Sequence, residues 1–156
     1  MKFLKPELFY NDNLKSNKNL RLEALNKYNE HLNSIESELP KLLLKYYYQT
    51  DRFHDCKIMK IIYNGDTNLF KIKSDNIQIN LNSYEEEIKL FFDNVVYFKL
   101  ENGNEFKNSV SGIEEITLCE LGITEKGYYS LEFHTSSGGT INIHFKKINL
   151  NKKKLR

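Results

Sequence analysis

Asp51, Arg52, His54 and Asp55 are the nearest approach to a chemical constellation in this chain. An imidazole beside two carboxylates has the composition of an oriented general base, or of part of a metal site. Catalytic zinc, however, takes three protein ligands, and a helix-borne pair normally carries the HExxH spacing. The sequence contains no such pair. The same residue types also serve where a helix ends, because Asp and His side chains reach backbone groups left open there. Arg52 can pair with a carboxylate or with helix carbonyls, and Phe53 can plug the gap between helix and sheet. The expectation is that His54 and Asp55 fill space between two layers, with no vacancy beside them for a reactant. No catalytic residue, metal ligand set or cofactor is assigned.

Other chemistries are weaker. His31 lies beside Leu32 but off the apolar stripe of its helix. His134 and His144 fall on neighbouring strands and, with Glu132, could compose a small metal site, although cross-strand polar pairs are ordinary in sheets. Glu85, Glu86 and Glu87 read as a polar loop which, with Glu114, Glu115, Glu120 and Glu125, could meet a basic partner. The sequence has no GxSxG, no Walker loop and no GxGxxG. Cys56 and Cys119 are far apart in apolar strand contexts, which favours inert thiols in a reducing compartment.

The whole chain sets bounds. Its 156 residues suit one domain. With 23 basic and 21 acidic residues the net charge is +2, too balanced to indicate a nucleic-acid or membrane partner. Ten Phe and ten Tyr supply large buried areas for the core. Met1 to Lys5 is followed at once by Pro6 and Glu7, so no secretory signal is read. No stretch approaches the ~18 apolar residues of a membrane-spanning helix. The expected location is the cytoplasm.

These residues must be positioned by helices followed by strands. Residues 1 to about 15 read as irregular. A helix should start near Ser16, Asn17 or Asn19 and place Leu25, Tyr28, Leu32, Ile35 and Leu39 on one face. Pro40 interrupts it, and Leu42, Leu43, Leu44, Tyr46, Tyr47 and Tyr48 predict a second, largely buried helix. After Asp55 the period becomes two. Cys56 to Tyr63 is apolar on both alternations and reads as a central strand. Asn64-Gly65-Asp66 and Ser74-Asp75-Asn76 read as turns around a strand at Leu69 to Lys73. Ile77 to Leu81, Ile88 to Phe92, Val95 to Leu100, Ile113 to Leu121, Tyr128 to His134 and Thr140 to Leu150 read as further strands. A break or bulge is expected at Asp93-Asn94, and a turn at Ser136 to Gly139. Asn102-Gly103-Asn104 reads as a turn and residues 105 to 112 as a loop. Residues 151 to 156 read as a frayed basic tail.

At Arg52-Phe53-His54-Asp55 the chain resembles a loose group of small bacterial proteins that begin with helices, pass a Phe-His-Asp step and continue as a meandering sheet. The likeness spans roughly residues 40 to 150 and includes the aromatic strand Val95-Val96-Tyr97-Phe98. Some members are assigned as immunity proteins of polymorphic toxin systems, which implies a protein partner such as a toxin. The expected class is α+β: N-terminal helices packed on a curled antiparallel sheet, a half-barrel or sandwich, in one domain over 1–150. The expected function is a non-enzymatic interaction protein that uses aromatic anchors at Tyr97 or Tyr129, or the loop Glu85 to Glu87, with Arg52, His54 and Asp55 as further binding candidates. A small-ligand or single-stranded nucleic-acid module using the concave side of the sheet is the alternative. A metal-dependent enzyme centred on His54 and Asp55 comes third. An open sheet edge leaves room for a homodimer.

Overall fold

The computed structural model describes residues 2–9, 18–64, 75–101 and 114–155. Among these residues three α-helices, α1 (Pro6–Phe9), α2 (Lys18–Ile35) and α3 (Lys41–Gln49), precede eight strands. The strands are β1 (Lys57–Asn64), β2 (Asp75–Asn82), β3 (Glu86–Val95), β4 (Tyr97–Glu101), β5 (Glu114–Ile123), β6 (Tyr129–Thr135), β7 (Thr140–Phe145) and β8 (Lys147–Lys154). The class is the expected α+β.

The stripe on α2 works as its spacing implies. Tyr28 and Leu32 are buried, while Leu25 and Ile35 pack half-buried at its margins. The helix ends at Ile35, and a 3-10 turn at Glu36–Glu38 delivers Leu39 into the core. Pro40 then sits at the N-cap of α3 with φ −60°, where its missing N–H costs nothing. Leu43, Leu44, Tyr46 and Tyr47 of α3 are buried. Leu42 and Tyr48 are exposed, so α3 keeps one wet face and is less enclosed than its apolar density suggests.

Every strand pairing is antiparallel, in the order β4-β7-β6-β5-β1-β2-β3-β8. The sheet curls without closing. β3 continues into β4 through Asn94, whose φ is 53°, and Val96. β7 continues into β8 through Lys146. Because β3 pairs with β8 and β4 with β7, one long two-stranded ribbon bends at a corner and carries both ends of the strand order. The bend brings the two halves face to face. Phe92 meets Phe145 edge-on with centroids 4.9 Å apart, and Tyr63 stacks on Phe98 at 6.4 Å.

Cross-strand rows define the interior. Leu81 and Ile88, Ile79, Leu90 and Leu150, and Ile77 and Phe92 line one half. Cys119, Phe133 and Ile141, with Leu121, Leu131 and Ile143, line the other. All of these are buried. The concave side of the curl is therefore the hydrophobic core itself.

Several expectations change. Within the segment read as irregular, Pro6–Phe9 form α1 and Leu4 is buried, while residues 10 to 17 lie outside the described residues. β1 is central in order but not buried on both faces, since Met59 and Tyr63 are exposed. Glu86 and Glu87 belong to β3 rather than to a loop. Thr140 to Leu150 is two strands, broken at Lys146. The basic segment is no frayed tail, because Lys152, Lys153 and Lys154 pair with Ile88, Glu87 and Glu86. The turn at Ser136 to Gly139 forms as expected, with Gly138 at φ 82° and its N–H donating to the Thr135 carbonyl at 3.0 Å. The strand read at Leu69 to Lys73 and the loop at 105 to 112 lie outside the described residues.

Candidate functional site

The two halves of the sheet meet between β1 and β5. Among the described residues these strands pair at Lys57↔Glu115 and Ile58↔Glu114. The join adds two bonds: the Asp55 N–H donates to the Ile116 carbonyl, and the Ile116 N–H to the Cys56 carbonyl, each at 2.9 Å. β5 then shifts register between Ile116 and Leu118 and runs on without β1. Its open backbone groups are taken up by the helices. The Leu121 N–H donates to the Tyr28 hydroxyl at 2.7 Å. The Tyr28 and Tyr47 hydroxyls lie 2.7 Å apart, and Tyr47 donates to the Cys119 carbonyl at 2.9 Å. Burial raises the pKa of both phenols, so they remain protonated donors. The buried Glu120 carboxylate accepts the backbone N–H groups of Lys2, Phe3 and Leu4, which fastens the N-terminal segment to β5.

The join itself is a left-handed turn. Asp51, Arg52 and Phe53 have φ of 44°, 62° and 59°, and Asp55 has 61°. L-residues enter that region at a cost of roughly 1–2 kcal/mol each. Hydrogen bonds hold them there. The Arg52 N–H reaches the Tyr47 carbonyl at 2.6 Å and the Asp51 N–H the Tyr48 carbonyl at 3.3 Å, the double bond of a Schellman helix end. The Phe53 N–H donates to Thr50 Oγ1 at 3.0 Å. Phe53 is fully buried and lies edge-on to both Tyr47 and Phe133. It is the expected plug between helix and sheet.

His54 and Asp55 do not fill that gap. They pair with each other, Nδ1 to Oδ1 at 2.9 Å, and each side chain is about half exposed. The guanidinium of Arg52 donates to Asn29 Oδ1 at 2.6 Å and lies 5.4 Å from the Tyr28 ring centroid. Arg52 and His54 border a cavity of about 390 Å³, walled by Leu4, Leu22, Leu25, Asn26, Asn29, Asp51, Thr117, Leu118 and Cys119. The expected absence of a vacancy beside residue 54 is thus corrected. Sequence spacing could not reveal it, because its other walls come from α2 and β5.

The remaining candidates separate. Tyr97 faces outward, exposed, and stacks on His144 at 4.7 Å. Both border a depression of about 580 Å³ with Val96, Thr124, Glu125, Lys126 and Tyr128. Lys146 lies 5.6 Å from the Tyr128 ring. Burial lowers the pKa of His144, opposed by Glu132. Tyr129 instead packs against Phe145 at 5.7 Å. Glu86 is tied to Lys152 at 2.9 Å and Glu87 to Lys89 at 3.5 Å, while Glu85 is exposed. The three acids do not form one free acidic loop.

His134 and His144 do not oppose each other, since their partners across the β6–β7 ladder are Thr140 and Ser130. His31 stacks on Phe3 at 4.9 Å. Among the described residues no group of three or more His, Cys, Asp or Glu comes together as a metal site. Cys56 and Cys119 are free and buried. Burial pushes the Cys56 thiol up to about 11 and the Cys119 thiol well above its ordinary value. No helix of the described residues is long and apolar enough to cross a membrane.

Sequence reasoning missed Tyr128, Asn29 and Thr117, which sit next to candidates only in space. It also left Tyr28 and Tyr47 without their edge-capping roles and Glu120 without its hold on the N-terminal segment. No protein-family model matches the chain, and no curated protein sequence matches it.

Proposed function

We propose that this chain is a non-enzymatic protein-binding module of the immunity type, docking a partner protein on the outer surface around Tyr97. One observation carries this reading. Tyr97, Tyr128 and His144 gather three rings at one depression, with Val96 exposed at its margin. Exposed aromatic anchors beside a concavity are what binding hot spots are made of. Lys126 and Glu125 at the rim offer charges of both signs for orientation. The immunity assignment rests on the Phe-His-Asp step and the aromatic strand, and the partner class is a toxin.

Co-expression with toxin-like proteins encoded beside it, followed by size-exclusion chromatography with light scattering, tests the reading. A stoichiometric complex is expected. Tyr97→Ala should weaken it by 2 kcal/mol or more, about 30-fold, while Glu85→Gln leaves it unchanged. A complex indifferent to both Tyr97→Ala and Tyr128→Ala would place the interface elsewhere, and no complex at all would remove the reading.

A further inference from the structure

We infer that the cavity beside the join is a binding site for a zwitterion with an apolar side chain, the chemistry of a free apolar α-amino acid. The site shares no lining residue with the Tyr97 depression, so it stands apart from the proposed docking surface.

The complement follows from its walls. Leu4, Leu22, Leu25 and Leu118 supply apolar lining, and Leu22 is 57% exposed. Asn26, Asn29, Asp51, Arg52, His54 and Thr117 supply polar lining. Arg52 spends one bond on Asn29 and has no carboxylate within ion-pair distance among the described residues. Its remaining N–H groups suit a carboxylate. Asp51, next in the chain, is exposed and likewise has no ion-pair partner among those residues.

A simple anion would meet Arg52 but also face Asp51. A simple cation would face Arg52. A molecule bearing both charges on one end satisfies both residues, and its apolar end meets the leucine side chains of the lining. The volume, about 390 Å³, falls within the range of roughly 300–1,000 Å³ usual for small-molecule sites. Asp51 and Arg52 both line this cavity.

The probe is L-leucine, read by calorimetry and by NMR shifts of the Asn26 and Asn29 side-chain amides. Isocaproate, which lacks the ammonium group, and isoamylamine, which lacks the carboxylate, are the controls. Saturable binding of L-leucine is expected, with both controls at least about tenfold weaker. Arg52→Gln should abolish binding. Because Arg52 also packs on Tyr28, Asp51→Asn supplies an independent arm. Asp51→Asn should narrow the preference for leucine over isocaproate at unchanged thermal stability, a change that loss of folding would not produce. The inference is overturned if leucine gives no saturable shift, if either control binds as tightly as leucine, or if Asp51→Asn leaves the preference intact.

Discussion

Where β5 runs on without β1, the Leu121 N–H and the Cys119 carbonyl would enter an apolar interior unpaired, and the hydroxyls of Tyr28 and Tyr47 take the place of a neighbouring strand. A buried donor left without a partner costs about 1–3 kcal/mol. Tyr28→Phe should therefore lower the unfolding free energy read from urea denaturation by that much and speed amide hydrogen exchange at Leu121, with little loss of packing. Phenylalanine keeps the ring against Phe3, whose centroid lies 5.9 Å away. The sequence marked Tyr28 as an apolar stripe residue and Tyr47 as buried packing. Both readings were correct and incomplete, because the groups they cap lie 93 and 72 residues away. The same distance hid the role of Glu120, which holds three backbone N–H groups from residues 2 to 4.

At the scale of elements, two left-handed positions decide direction. The turn at 51–53 swings the chain from α3 into β1, and Asn94 steers β3 around the corner into β4. Asn tolerates positive φ better than most residues, and a β-branched side chain tolerates it worst. Asn94→Val should destabilise the fold by roughly 1–2 kcal/mol, whereas Asn94→Gly should match or exceed the wild type, both read by thermal denaturation. The bend at Asp93-Asn94 was readable in sequence, because a polar pair interrupts two apolar alternations. The break at Lys146 carries the same kind of signal: Lys146-Lys147 interrupts the alternation, which moves from Ile141, Ile143 and Phe145 to Ile148 and Leu150. Reading Thr140 to Leu150 as one strand passed over it, and the pairing of β8 with β3 and of β7 with β4 makes the corner.

For the whole molecule, the ribbon of β3–β4 with β7–β8 is what keeps the open sheet curled. Its far end is the lysine segment, where Lys152 pairs with Glu86 at 2.9 Å and lies 5.5 Å from the Tyr46 ring of α3. Truncation after Leu150 removes the pairings of Asn151 through Lys154 with β3. At roughly 0.2–1 kcal/mol per cross-strand pair, it should cost on the order of 1–3 kcal/mol in chemical denaturation. A solvated tail would leave stability unchanged.

The α+β class, the helix stripe, the glycine turn at Gly138 and most strands follow from periodicity and turn chemistry alone, since burial of one face imposes period 2 or 3.6 wherever it occurs. What surrounds a given side chain does not follow, because it depends on which distant segments the curl brings together. Tertiary structure alone turned Tyr97 outward and Tyr129 inward, paired Glu86 with Lys152, and opened a cavity beside Arg52 and His54 by setting α2 and β5 against the join.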